Sequence, residues 1–126
     1  MHRSRLAGFI IDCNTRDLGA AAEFWSAALG LAITSEPDQD PGYRQLANGP
    51  GGLHVEVQQV AHPSRVHLDI ESDDLEAEAR RLEKLGARRV DAIKRWIVME
   101  APTGQRFCIV RPQSPRFESE ANEWSD

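Results

Sequence analysis

Polar and apolar side chains alternate in two segments of this sequence, which is the pattern of a β-strand with one polar face and one buried face. In residues 65–71 the polar set is His67, Asp69 and Glu71, opposite Val66, Leu68 and Ile70. In residues 53–60 the polar set is His54, Glu56 and Gln58, alternating with Val55 and Val57. Because successive strand side chains point to opposite faces, each polar set shares one face. These faces offer an imidazole, carboxylates and an amide to a ligand, and His67 is the first candidate for a binding residue.

Cys108 and Trp96 are two further candidate site residues, each on a predicted strand. Cys13 and Cys108 lie in apolar runs, where a free cysteine behaves as a small buried hydrophobe. Nothing near Cys108 in the sequence supplies a base that would activate its thiol, so we expect a filler of the site rather than a nucleophile. Trp96 would give a cleft a flat apolar wall. No nucleophile elbow, glycine-rich phosphate loop, C-x-x-C pair or H-E-x-x-H motif occurs, and the sequence identifies no catalytic residue.

The bulk composition is that of one ordinary globular domain. The chain has 126 residues, a net charge of −5 and a pI near 5.4. An acidic chain without a basic stripe is a poor partner for nucleic acid, whose binding depends on Lys and Arg. No apolar run approaches the roughly 18–20 residues of a membrane span, and the first residues do not resemble a signal peptide. We therefore expect a cytoplasmic protein that binds neither nucleic acid nor membrane.

The order of predicted elements repeats once along the chain. A first helix begins after Asp17 and ends at Gly30, and a second has a capping-box candidate in Asp73 and Glu76 and ends at Gly86. Each helix has one apolar stripe, as expected for packing on a sheet. The strand candidates are residues 6–12, 31–35, 43–47, 53–60, 65–71, 88–93, 96–101 and 106–111. After residue 112 the chain is polar and acidic, and we expect a weakly ordered tail with Phe117 and Trp124 as its anchors on the body.

The order and spacing of these motifs resemble those of the vicinal oxygen chelate superfamily, and within it the single-domain glyoxalase and bleomycin-resistance type. The resemblance rests on His67-Leu68-Asp69, the helix ending Leu85-Gly86-Ala87, Trp96, the turn Ala101-Pro102-Thr103-Gly104, the strand Phe107-Cys108-Ile109-Val110, and the first-half motifs Phe24-Trp25 and Ala28-Leu29-Gly30-Leu31. It implies an α+β fold in which two paired βαβββ modules, about residues 5–61 and 64–112, form a curved eight-stranded sheet around a cleft. Residues 113–126 would then be an acidic C-terminal tail.

The resemblance also implies a comparison with the four metal ligands of metal-dependent members. His67 matches one ligand, and Glu56 or Gln58 occupies the region of another. Cys108 stands where those members usually carry a glutamate, and Ile10 stands where a ligand is expected and cannot bind a metal. The resemblance therefore favours a metal-poor or metal-independent cleft lined by His67, Gln58, Glu56, Cys108 and Trp96. A divalent metal held by His67, Glu56 and Cys108 stays open as an alternative.

Three functions remain open at this point. The leading prediction is a glyoxalase-like protein that binds a small molecule in a metal-poor cleft, whether or not it is an enzyme. One alternative is a metal-dependent lyase, isomerase or dioxygenase, and another is a non-catalytic protein that sequesters an aromatic or antibiotic-like compound.

We interpret Asp12 and Asp69, at matched positions of the two halves, as structural residues. We also expect a homodimer, because an open sheet leaves apolar edges that a second copy can cover.

Overall fold

A computed structural model describes residues 1–35, 40–93 and 95–125 of the chain. Its elements are β1 (His2–Cys13), α1 (Leu18–Leu29), β2 (Tyr43–Gln45), a single 3-10 turn (Pro50–Gly52), β3 (His54–Gln59), β4 (Arg65–Ser72), α2 (Leu75–Lys84), β5 (Arg88–Ile93), β6 (Trp96–Glu100), β7 (Arg106–Val110), α3 (Phe117–Glu120) and β8 (Asn122–Trp124). The predicted α+β fold with eight strands is confirmed. Among the described residues, no helix has the length and apolar character needed to span a membrane.

The chain divides into two compact units. Unit 1 contains Met1–Gly8 and His67–Asp126, and unit 2 contains Phe9–Val66. In unit 2 the strand order is β2-β3-β1, and β2 pairs with β3 in antiparallel register. In unit 1 the order is β1-β4-β7-β6-β5, and β8 pairs with β1. The β4–β7 pair is parallel, whereas β5–β6 and β6–β7 are antiparallel.

Unit 2 is built around α1. The Asp17 carboxylate accepts a hydrogen bond from the backbone N–H of Ala20, and Gly30 ends the helix with a φ of 70°, as the sequence predicts. The helix packs on a core whose buried members are Ile11, Cys13, Leu18, Leu46, Val55 and Val57. Val55 and Val57 therefore face α1, and the alternating polar residues of β3 face away from it.

Unit 1 is built around α2, which covers one face of its sheet. The buried members of this core are Ala79, Leu82, Ile97, Met99 and Ile109, with Ile70 and Phe107 packed against them. The helix is capped by Asp74, whose carboxylate accepts from the N–H of Ala77, so the predicted cap at Asp73 is wrong. The Asp73 carboxylate instead accepts the backbone N–H of Arg3, a contact between residues far apart in sequence.

Two other predictions of local structure are wrong. Residues 31–35 form no regular strand, since Ile33 makes only an isolated bridge with Leu46. The C-terminal tail was expected to be weakly ordered, but it forms α3 and β8. Phe117 is 3% exposed, and the indole N–H of Trp124 donates to Ser4 Oγ at 2.8 Å. These two contacts, made by Phe117 and Trp124, tie the tail to the body of unit 1. The eighth strand is therefore β8, which pairs with β1, and not the strand predicted at 31–35.

A buried carboxylate joins the first strand, the second helix and the tail. Glu78 is 0% exposed. Its oxygens accept from Ser4 Oγ at 2.8 Å and from Arg81 Nε and Nη2 at 2.8 Å each, and His2 Nε2 lies 2.8 Å from Oε1. The Arg81 guanidinium also lies 3.9 Å from the ring centroid of Trp124. A buried charge is tolerated only when it is paired and hydrogen-bonded in this way.

Replacing Glu78 by Ala should lower the free energy of unfolding by about 3–5 kcal/mol, because the Arg81 cation then loses its buried partner. Urea unfolding followed by circular dichroism measures this loss. Glu76→Ala is the matched control on the same helix, since Glu76 pairs with Arg80 and Arg89 at an exposed position and should cost less than about 1 kcal/mol. Equal losses for the two variants would contradict this account of the buried network.

The same network should make stability depend on pH in the acid range. Burial alone raises the pKa of Glu78, but hydrogen bonds from Arg81, His2 and Ser4 outweigh it and hold the pKa below the ordinary value. A lowered carboxyl pKa stabilises the fold above the unfolded-state pKa, about 4.3, and this contribution is lost as pH falls through the folded-state pKa. Unfolding of Glu78→Gln, measured across this range, should therefore show a smaller loss of stability on acidification than wild type. An unchanged acid profile would contradict the prediction.

Replacing Phe117 by Ala should lower the free energy of unfolding by about 3–5 kcal/mol, because a buried aromatic side chain leaves a cavity. Phe24→Ala is the matched control, since Phe24 is 62% exposed and its main contact is an edge-on pair with Trp25. The control should cost less than about 1.5 kcal/mol. If Phe117→Ala costs no more than Phe24→Ala in the same urea titration, the tail is not part of the folded core.

Candidate functional site

The sheet of unit 1 has a second face, opposite α2, on which the candidate site lies. Because Ile70, Ile97, Met99 and Ile109 pack toward α2, the residues that alternate with them point to the other side. We call this side the site face; its members are His67, Asp69 and Glu71 of β4, Arg106, Cys108 and Val110 of β7, and Trp96, Val98 and Glu100 of β6. The strand register sets neighbours across it, with Asp69 opposite Cys108 and Cys108 opposite Val98.

Three metal-ligating side chains meet on the site face. One ligand atom each of His67, Asp69 and Cys108 can be chosen so that all lie within 4.8 Å of one another. His67 Nε2 and Asp69 Oδ1 lie 3.6 Å apart. The side chains of His67 and Asp69 are 14% and 8% exposed, and Cys108 is half-buried, so the cluster is partly exposed to solvent. We call these three residues the HDC cluster.

The donor types of the HDC cluster fit a zinc-class ion better than a hard cation. Imidazole, carboxylate and thiolate are the ligands that Zn²⁺ takes in proteins, and three of them leave one position of a tetrahedron for a ligand. Mg²⁺ and Ca²⁺ instead prefer shells made entirely of oxygen. Ligand atoms up to 4.8 Å apart would have to move closer together to share one zinc ion.

Glu71, the next polar residue on β4, has a structural role. Its side chain is 0% exposed, and its Oε1 accepts the backbone N–H groups of Gln113 and Ser114 at 2.7 and 2.9 Å. Arg5 Nε lies 3.6 Å from Oε2. This carboxylate therefore anchors the segment that follows β7 rather than joining the HDC cluster.

Trp96 lies on the site face as well, at one end of β6. It is opposite Val110 on β7, and two positions further along β6 Val98 is opposite Cys108. Trp96 and Val98 are half-buried. Together these residues form an apolar surface directly beside the HDC cluster, which suits a ligand with one polar and one apolar part.

The predicted site residues Glu56 and Gln58 belong to unit 2. Both lie on β3, on the side away from α1. Gln58 Nε2 donates to Tyr43 Oη at 2.9 Å, and Glu56 Oε1 lies 2.5 Å from His54 Nε2. Ile10, where the resemblance expects a ligand, is 4% exposed. The predicted convergence of Glu56 and Gln58 with His67 and Cys108 on one cavity stays a prediction.

Asp69 belongs to the HDC cluster but was not among the site residues predicted from the sequence. Its place two positions after His67 was visible in the sequence, but its position opposite Cys108 depends on the parallel β4–β7 register. Its counterpart Asp12 has a different setting in unit 2, buried at 2% with Arg65 Nε 3.9 Å from its Oδ2. Cys13 is buried in the core of unit 2, whereas Cys108 is half-buried. Burial raises the pKa of the Cys13 thiol.

Comparison with known proteins agrees with this fold. A family model described as "Glyoxalase-like domain" matches residues 8–110. A methylmalonyl-CoA epimerase from Mycobacterium tuberculosis superposes with a TM-score of 0.58 at 21% identity, over 91% of each chain. An extradiol ring-cleaving dioxygenase from B. fuscum superposes with a TM-score of 0.56 at 13% identity, over 87% of this chain.

The present chain spans only 33% of the dioxygenase, and both structural likenesses concern the fold alone. No curated protein matches the chain in sequence. The family match, in contrast, covers most of both units, and it includes all three residues of the HDC cluster. The resemblance noted from the sequence is confirmed, and the chain belongs to the glyoxalase-like domain family of the vicinal oxygen chelate superfamily.

Proposed function

We propose that this chain binds a small molecule on the site face and that the HDC cluster holds a divalent ion of the zinc class there. The observation that carries the proposal is the approach of three different metal-ligating groups to within 4.8 Å on one half-buried surface. Asp69 supplies a donor that the prediction of a metal-poor cleft did not include. The cluster therefore favours the metal-dependent alternative over the metal-poor one.

Each side chain of the site face has a distinct part in this proposal. His67 offers a neutral imidazole nitrogen, Cys108 a thiolate and Asp69 a carboxylate oxygen. A bound ion would polarise a carbonyl or hydroxyl oxygen of the small molecule and stabilise negative charge that develops on it. Val98 and Trp96 hold the apolar part of the molecule and keep water from the polar end.

A metal-free binder is the second candidate, and the number of donors favours it. The HDC cluster has three donors, whereas the resemblance implies four in metal-dependent members, and Ile10 cannot supply another. In a metal-free site His67 and the Cys108 thiol would hydrogen-bond the polar end of the small molecule, with Asp69 orienting the imidazole. Both candidates place the small molecule on the same surface, so direct metal titration separates them.

Calorimetric titration of metal-free protein with Zn²⁺ should give one site per chain. His67→Ala, Asp69→Asn and Cys108→Ser should each weaken zinc binding, by about 100-fold for His67 and Cys108, because loss of a direct ligand costs at least as much as loss of its supporting partner. His62→Ala is the matched control, since the His62 ring nitrogen Nδ1 lies 2.8 Å from the carbonyl oxygen of Pro63 and the residue is outside the cluster. This control should bind zinc like wild type.

Two further measurements make the zinc result decisive. Circular dichroism establishes that each variant is folded. The unfolding temperature should rise with zinc concentration in wild type and His62→Ala, and should rise less in the three cluster variants at the same zinc concentrations. Saturable binding of one zinc ion that survives both His67→Ala and Cys108→Ser would place the ion elsewhere and contradict the proposal. No zinc binding by wild type would leave the metal-free binder as the better account.

A further inference from the structure

A row of charged residues crosses the site face beside the HDC cluster. In the antiparallel ladders Arg88 of β5 is opposite Glu100 of β6, and Glu100 is opposite Arg106 of β7. The parallel ladder pairs Leu68 with Phe107. One residue earlier on each strand, Arg106 is therefore the neighbour of His67, and both lie on the site face. Adjacent strands lie about 4.8 Å apart, which sets Arg106 against the polar end of the proposed site.

The row carries more positive than negative charge. Arg88 Nε donates to Glu100 Oε1 at 2.9 Å, and Arg106 Nε donates to Oε2 at 3.1 Å. Hydrogen bonds from Arg88 and then Arg106 hold the pKa of Glu100 below its ordinary value, so the carboxylate is ionised at neutral pH. Two guanidinium groups thus share one carboxylate. The three side chains of the row, Arg88, Glu100 and Arg106, therefore carry a net charge of +1.

The guanidinium groups of the row also retain donors. In the described part of the chain, both bonds to Glu100 use Nε, which leaves Nη1 and Nη2 of each arginine to donate. Two other arginines of unit 1 use more of their donors in ion pairs. Arg81 gives two bonds to Glu78, and Arg89 pairs with both Glu76 and Glu83. Glu76 on α2 and Glu120 on α3 also pair with two arginines each, whereas Glu100 lies on the site face.

Exposure distinguishes the roles of the two arginines. The side chain of Arg106 is 35% exposed and that of Arg88 is 62% exposed. Arg106 therefore lies in the partly desolvated surface next to His67, where a charge-assisted hydrogen bond is stronger than in water. Arg88, at the edge strand, adds charge and a second set of donors from the solvent side.

We propose that Arg106 and Arg88 form an anion subsite on the site face, which takes the carboxylate of a small oxygenated acid. The inference rests on the proposed function and names its ligand class. The carboxylate binds the Nη groups of Arg106, a neighbouring carbonyl or hydroxyl oxygen lies at the HDC cluster, and an apolar substituent covers Val98 and Trp96. Planar guanidinium forks suit a carboxylate because they bind both its oxygens.

Calorimetry with phenylpyruvate as the probe tests this subsite in the full chain, both zinc-loaded and metal-free. Phenylpyruvate has a carboxylate, an adjacent carbonyl and an aromatic ring, and phenylacetone is the neutral comparison without the carboxylate. Wild type should bind phenylpyruvate at least about tenfold more tightly than phenylacetone, as expected for a charged hydrogen-bonded group. Arg106→Gln should weaken phenylpyruvate binding about tenfold, and Arg88→Gln by a smaller factor.

Three variants separate an anion subsite from a structural ion pair. Glu100→Gln frees both guanidinium groups and should strengthen phenylpyruvate binding, whereas loss of a merely structural partner would not. Arg80→Gln, which removes the same charge from the exposed face of α2, should bind phenylpyruvate like wild type. Zinc affinity should stay unchanged in Arg106→Gln, so the subsite and the metal proposal fail separately.

The anion subsite and the metal site are contradicted by different results. Wild-type phenylpyruvate affinity in a folded Arg106→Gln, or equal affinity of wild type for phenylacetone, overturns the subsite and leaves the metal proposal standing. Absence of saturable phenylpyruvate binding at millimolar concentration in both metal-loaded and metal-free wild type also overturns it. Failure of zinc binding with the arginine dependence intact contradicts only the metal proposal.

Discussion

The parallel pairing of β4 with β7 is the constraint on which the candidate site depends. It sets Asp69 opposite Cys108, so that residues of two strands far apart in sequence meet in one cluster. The register is held from the opposite face, where Ile70 and Ile109 pack toward α2. A slip of one residue would move these apolar side chains out of the core and carry the polar residues into it, so packing under the helix fixes the chemistry above it.

The polar residues of β4 show how one alternating strand serves two purposes. His67 and Asp69 meet Cys108 at a partly exposed surface, whereas Glu71 is fully buried and accepts hydrogen bonds from main-chain N–H groups of the segment after β7. The same segment leads into α3 and β8, which pack against the start of β1. The C-terminal residues are therefore part of the fold of unit 1, and they support the strand that carries the site.

The sequence was sufficient for those features that depend on local pattern. The α+β class follows from family likeness, and the cap at Asp17 follows from helix-end chemistry. His67 and Cys108, chosen from the strand pattern and family likeness, are two of the three members of the HDC cluster. The errors arise where a distant contact decides between local options. Asp73 and Asp74 are equally good caps by composition, and β8 depends on an indole bond to Ser4 across 120 positions. The approach of Asp69 to Cys108 could not be predicted either, because strand register is a tertiary property.

X-ray absorption at the zinc edge of zinc-loaded protein tests the central claim most directly, because it reports the atoms bound to the ion. The account predicts one sulfur at about 2.3 Å and an imidazole nitrogen at about 2.0–2.1 Å, with the remaining positions filled by oxygen. The sulfur shell should disappear in Cys108→Ser. A shell of nitrogen and oxygen alone in the wild-type protein would contradict a metal site built from His67, Asp69 and Cys108.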